Sequence, residues 1–305
     1  MPDIILHHYE LSPYSEKVRL ALGLKGLAWR SVITPIWMPK PDLVPLTGGY
    51  RRAPVMQVGA DVYCDSQLIL RVLERMHPTP SLFPGGTEGL VTALSWWRDA
   101  STFAQAVRVL GAMIGDKMPQ ELIEDRKTAF GFDMGQAAMA PGLPRYVQQV
   151  RAHFAWLVRI VSDGRPFVLG AEPSAADLSA YHAIWLLRRN IGAAVDALVP
   201  FAVLQGWYDR VGAIGHGSPS GMEASEALDI AARTEPAPPG FPGDGDRFLE
   251  PGQRVGVTPD DTGRDTVVGT LVAADDWEIV LRRSHPRVGD VQVHFPRAGY
   301  DAAAV

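Results

Sequence analysis

The apolar pattern of this chain changes its period twice, and each change falls at a Pro/Gly-rich stretch. Up to about residue 80, short β-rich runs alternate with helical repeats. Ile4–His8 and Leu27–Thr34 read as strands, and Ser15–Leu24 carries apolar residues at Val18, Leu20, Ala21, Leu22 and Leu24. Pro54–Val58 and Asp61–Cys64 flank Gly59-Ala60, a hairpin signal. Leu68, Ile69, Val72, Leu73 and Met76 then recur at the three- and four-residue spacing of one helix face. The run SLFPGGTEG, within 81–95, breaks the pattern. From Leu90 to about Ala232 only helical repeats follow: Leu90–Gly115, Pro119–Ala140, Leu143–Asp163, Ser174–Arg189, Pro200–Val211 and Met222–Ala231. After a second break, EPAPPGFPGDG, the runs RVGVTPDD, TVVGTLVAADD, WEIVLRRS and GDVQVHFPR read as four short strands.

This order predicts an α/β unit over 1–80, an all-α domain over 88–233 and a small β-rich C-terminal domain over 246–305, with a linker at about 234–245. A length of 305 residues fits that count. The β tail is short enough to be marginal alone, so it is expected to pack on the helical domain.

Hydrophobic residues make up 47% and charged residues 21%, enough for well-buried cores. A formal charge of −5 argues against a general nucleic-acid binder or a membrane-surface binder. Cys64 is the only cysteine, which excludes an intramolecular disulfide and CxxC chemistry, and it reads as a small buried hydrophobe. MPDIILHHYELSP lacks the charged and apolar regions of a signal peptide, and the apolar runs fall far short of the roughly 20 residues that span a bilayer. A cytoplasmic location is expected. His7 and His8 point to opposite faces of a strand, so no metal site is predicted there or elsewhere.

Three short stretches carry possible chemistry. In Ser12-Pro13-Tyr14-Ser15, Pro13 suits a first helical position with Ser12 as N-cap. The same geometry offers an anion the positive end of a helix, and a hydroxyl there can donate to a thiolate. Local sequence leaves both readings open. Ala53-Pro54 opens a strand, either as an ordinary strand start or with a cis bond that turns the Ala53 backbone outward. Asp65 and Ser66 precede a helix and read as a cap, or as a pair that accepts the ammonium and carboxylate of an α-amino-acid end.

Taken together, these stretches resemble the glutathione transferases over residues 3 to 212. The first 80 residues are similar to that family's thioredoxin-like domain, SPYSEKVRLAL to its first helix, Ala53-Pro54-Val55 to its cis-proline loop, and Asp65-Ser66 to its acidic-Ser pair. Phe167–Gly170 followed by Pro173–Tyr181 resembles the capping box of its helical domain, with Ser174 and Asp177 capping reciprocally. The resemblance implies glutathione as co-substrate or cofactor, a homodimer, and an enzyme that activates the glutathione thiol for attack on an apolar electrophile. It implies Ser12 as the hydroxyl beside the thiolate, with Ser15 as second choice, and Ala53, Pro54, Asp65 and Ser66 as glutathione-binding residues. Trp37, Met38 and Phe103 are the implied substrate-pocket residues. Two alternatives stand beside this: an isomerase or dehalogenase that returns glutathione unchanged, and a non-catalytic interaction protein of the same fold. The chain departs from the family in the loop Leu46-Thr-Gly-Gly-Tyr-Arg-Arg52, whose arginines are expected to be solvent-exposed, and in its β tail.

Overall fold

The structure is a computed structural model that describes residues 3–199, 201–241 and 248–305. Pro200, where a helix was expected to start, lies outside the described residues, as do 242–247 at the junction of the expected linker and β segment. The first elements are β1 (Ile5–His8), α1 (Pro13–Leu24), β2 (Ala28–Ile33), α2 (Val44–Thr47), β3 (Val55–Val58), β4 (Asp61–Cys64) and α3 (Ser66–Met76). Helices follow: α4 (Glu88–Trp97), α5 (Phe103–Ile114), α6 (Gln120–Phe130), α7 (Gln136–Met139), α8 (Leu143–Val161), α9 (Ala175–Ile191), α10 (Ala194–Leu198) and α11 (Gln205–Gly212). The last are β5 (Ser218–Gly221), α12 (Ala224–Ala232), β6 (Arg254–Pro259), β7 (Val267–Ala274), β8 (Glu278–His285), β9 (Gly289–Pro296) and β10 (Tyr300–Ala304).

Contacts divide the chain into two units, one of residues 1–10, 28–69 and 218–305, the other of 11–27 and 70–217. The first holds one ten-stranded sheet in the order β10-β6-β7-β8-β9-β4-β3-β1-β2-β5. β1 lies parallel to β2 and antiparallel to β3, and β3 and β4 form the expected hairpin, with Gly59 at φ +62°. The four predicted C-terminal strands are all present. The expectation that they pack on the helical domain is corrected: β9 pairs parallel with β4, Asp61 opposite Gln292 and Tyr63 opposite His294, so the tail extends the N-terminal sheet. Two strands carried no sequence signal. β5 is SPSG on the edge of β2 and β10 is YDAAA on the edge of β6, and both are held by backbone pairing where side-chain propensity says little.

The core of this unit shows why the tail belongs to the sheet. Val55, Val62 and Cys64 of the hairpin pack with Leu271, Ile279, Leu281, Val293 and Phe295, and α12 adds Leu228 and Ala231. Burying each of these Val, Leu, Ile and Phe side chains contributes roughly 1.5–3 kcal/mol. Burial, followed by the neighbouring Asp65 charge, pushes the Cys64 thiol well above its usual pKa, so Cys64 is the inert hydrophobe its sequence suggested. His7 and His8 do serve opposite faces, with Nε2 of His7 2.8 Å from Gln57 and Nε2 of His8 2.9 Å from Ser31. Burial lowers the His7 pKa to about 4.

One buried ionic device fastens β9 to β4. The His294 imidazole sits between Glu278, 2.7 Å from Nδ1, and Asp61, 3.2 Å from Nε2, and its ring packs tilted against Tyr63. Burial alone would lower its pKa, but the hydrogen bonds and charges of Asp61 and Glu278 outweigh it and raise the pKa above 6.5. A group with a raised folded-state pKa contributes stability that is complete below the unfolded value and lost as pH rises through the folded one. The stability lost in His294→Gln is therefore expected to be greater at pH 6 than at pH 9 in urea unfolding. A loss that does not change with pH would contradict this.

The second unit is helical. Two predicted helices are interrupted. Leu90–Gly115 contains a widened π-turn at 98–102, and Pro119–Ala140 breaks after α6, where Gly131 takes φ +63°. The predicted capping box is present at α9. Asp177 accepts from the Ser174 N–H and hydroxyl, and also from the Val168 N–H at 2.7 Å and the Trp207 indole at 2.9 Å. Asp177→Ala leaves these buried donors without an acceptor and is expected to cost about 3–5 kcal/mol in chemical denaturation. A loss under about 1 kcal/mol would mean that other acceptors replace the carboxylate.

Candidate functional site

In the sheet-bearing unit, the turn from β4 into α3 is conformationally unusual. Asp65 has φ +75°, the one non-glycine residue at positive φ among those described. Aspartate tolerates that region because its short side chain bonds locally. Here Oδ1 accepts the Gln67 N–H at 2.8 Å, and the Asp65 carbonyl accepts the Ile69 N–H, so Asp65 caps α3. Oδ2 lies 3.2 Å from the Tyr300 hydroxyl. Ser66, buried, occupies the first helical position at the positive end of α3. A carboxylate thus sits one residue before a helix N-terminus, the two charges that complement an α-amino-acid end.

The loop that enters β3 carries the second element. The Ala53–Pro54 bond is cis, with Ala53 half-buried and Pro54 buried. The expectation that the two arginines before it are exposed is corrected. Arg51 and Arg52 have side chains only 14% and 20% exposed. Arg51 pairs with Asp265 at 3.7 Å, and Arg52 with Asp261 and the Thr262 carbonyl. Neither is left to the solvent, because the tail supplies an acidic loop against them.

In the helical unit, Ser12 is the N-cap of α1. Its Oγ accepts the Ser15 N–H at 3.1 Å, and Pro13 follows at the first helical position. The cap occupies an acceptor lone pair and leaves the hydroxyl proton out of that bond, so capping and donation to an anion are compatible on one side chain. Ser15 is fully buried, and its Oγ has no hydrogen-bond partner among the described residues. Tyr14 is committed elsewhere: its hydroxyl donates to the Asp99 carbonyl at 2.8 Å, and its ring packs on Phe103 and His182. The buried Lys17 ammonium pairs with Asp99 at 2.6 Å beside them. Burial, then the Lys17 charge, lowers the His182 pKa to about 3, so that ring is neutral.

The expected substrate-pocket residues fall in both units. Met38, with Lys40, Val44, His285 and Arg287, lines an open cleft of about 370 Å³ in the sheet-bearing unit. Trp37 is half-buried and outside that lining, and Phe103 in the helical unit packs tilted against Tyr14. Sequence reading missed Tyr50 and Tyr300, since a contact between Asp65 and a residue 235 positions later has no local signal. It also missed the Lys17–Asp99 pair. Among the described residues no group of His, Cys, Asp and Glu is placed to hold a metal, and no helix is long and apolar enough to cross a membrane.

A thioredoxin-like βαβ–ββα arrangement followed by helices with a buried capping box defines a recognised class of two-part proteins. Residues 6–81 match the glutathione S-transferase N-terminal domain and residues 140–210 its C-terminal domain. A GST-like protein from Pseudomonas syringae, known from its crystal structure, is 35% identical over 100% of both chains, with a TM-score of 0.81. The chain belongs to the glutathione S-transferase superfamily. A curated relative, maleylpyruvate isomerase from a Ralstonia species, is 27% identical over 134 residues, 42% of this chain and 57% of that protein's length. A glutathione S-transferase from Methylobacterium radiotolerans, solved in complex with glutathione sulfonate, shares the fold at 22% identity over 72% of this chain and 97% of its own, with a TM-score of 0.51.

Proposed function

We propose that this protein binds glutathione and activates its thiol for attack on an apolar electrophile. The observation that carries the reading is the Asp65–Ser66 turn, a carboxylate held at positive φ beside a helix start. In this reading Asp65 takes the γ-glutamyl ammonium, while Ser66 and the first turn of α3 take the carboxylate. The Ala53 backbone, presented by the cis Pro54 bond, pairs with the cysteinyl part. Ser12 donates its hydroxyl proton to the thiolate, favouring the anion below the free thiol pKa of about 8.5. The thiolate then forms a bond to the electrophilic carbon; in a substitution the leaving group departs as the anion, and in an addition the π-electron pair moves onto the neighbouring atom, which takes a proton from water. Trp37, Met38 and Phe103 are the proposed apolar lining, and the working form is a cytoplasmic homodimer. Calorimetric titration of glutathione into the intact protein tests the reading: saturable heat is expected, and its absence contradicts it.

A second reading draws support from the maleylpyruvate isomerase relative. In that reading the thiolate adds to the substrate and is expelled again after bond rotation, so glutathione is returned unchanged. Product analysis separates the two, because net consumption of glutathione excludes the isomerase.

A further inference from the structure

Within the 46–52 loop that departs from the family pattern, Gly48, Tyr50, Arg51 and Arg52 each meet a residue of the C-terminal strands or their connections. A Cβ at Gly48, which also has φ +76°, would collide with the Arg283 guanidinium on β8. The Tyr50 ring meets Phe295 edge to face at 6.0 Å and lies tilted against Tyr300 at 6.4 Å between ring centres. Arg51 and Arg52 meet Asp265 and Asp261. The tyrosine pair leads to Asp65: the Tyr300 hydroxyl, in a side chain almost fully buried, lies 3.2 Å from Oδ2 and 3.2 Å from the Tyr50 hydroxyl. A carboxylate can only accept, so the Tyr300 proton goes to Asp65 and the Tyr50 proton goes to Tyr300. Oδ1 is already held by the Gln67 N–H, so this bond is what fixes the second oxygen.

We propose that Tyr300 is a positioning residue for ligand binding: the C-terminal strand donates its hydroxyl to Asp65 and thereby aims the carboxylate at the ammonium of the γ-glutamyl group. The tail is then part of the binding turn. This rests on the reading that Asp65 holds that ammonium. Burial, first, and the charges around them keep Tyr50 and Tyr300 protonated over the whole working pH range, so the hydroxyl relay does not titrate away.

The test compares wild type with Tyr300→Phe, each titrated with glutathione and with an analogue lacking the γ-glutamyl amino group. A positioning role predicts that Tyr300→Phe weakens glutathione by about 10-fold. The desamino analogue, which has no ammonium for Asp65 to meet, is bound equally by both proteins. Loss of affinity for both ligands in equal proportion would mean that Tyr300 only supports the fold, and it overturns the proposal. So does unchanged affinity for glutathione. Failure of wild type to bind glutathione overturns the Asp65 reading as well, which separates the two failures. If Phe leaves a gap that unfolds the strand, 4-methylphenylalanine at position 300 fills the hydroxyl's volume without its proton, and the same comparison decides.

Discussion

Asp65→Asn is expected to weaken glutathione binding about 100-fold, with little change in thermal stability. Asparagine keeps the local demands of the position. It tolerates the left-handed backbone at φ +75°, and its side-chain oxygen can still accept the Gln67 N–H that starts α3. What it removes is the charge, together with one carboxylate oxygen, the acceptor of the Tyr300 hydroxyl, and in the proposed site that charge is the partner of the γ-glutamyl ammonium. Losing one member of a partly buried charge pair costs about 2–5 kcal/mol, largely because the other charge is left unpaired. A partly hydrated ligand end places the effect at the low side of that range. Isothermal calorimetry measures it. Affinity within two-fold of wild type would remove Asp65 from the site and leave it as a helix cap.

The second large effect concerns Ser12. Ser12→Ala is expected to lower kcat about 100-fold and return the bound thiol towards its free pKa, while the affinity for glutathione stays within a few-fold. One donor to a developing anion is worth about 10²–10³ in rate, and the other binding contacts are untouched. Ser12 also caps α1, so alanine costs about 1 kcal/mol of stability on its own account. Ser12→Gly separates the roles, because glycine at an N-cap costs only a few tenths of a kcal/mol and supplies no hydroxyl. Equal kcat losses in Ala and Gly variants assign the effect to the hydroxyl. Ser15→Ala is the control. Its Oγ has no partner among the described residues, so removing it should leave activity intact. If Ser15→Ala abolishes turnover and Ser12→Ala does not, the donor is Ser15.

Much of this fold was legible in the chain because the two hydrophobic periods are local. The β3–β4 hairpin follows from Gly59-Ala60 between alternating runs, and the α9 capping box from a Ser and an Asp three residues apart. The breaks inside the predicted helices were less legible. The π-turn at 98–102 keeps a helical apolar pattern and shifts only its hydrogen bonds. The Lys17–Asp99 pair shows the same limit in the site region, since a buried ion pair across 82 positions leaves no periodic trace. The tail was read correctly as strands but attached to the wrong partner. Strand propensity reports that a segment wants an edge, and only the Asp61–Cys64 register decides which edge it finds. The Gly-Gly-Tyr-Arg-Arg loop looked like a departure from the family because its reasons, Arg283, Tyr300, Asp261 and Asp265, lie more than 200 residues away.

The central claim is that the protein holds glutathione as a thiolate near neutral pH. Ultraviolet absorbance of the thiolate, followed while glutathione is titrated into the intact wild-type protein at pH 7, tests it most directly. The account predicts a saturable thiolate signal that disappears only as the pH falls well below the free thiol value of about 8.5. Saturable binding without a thiolate signal, or no binding at all, would contradict it.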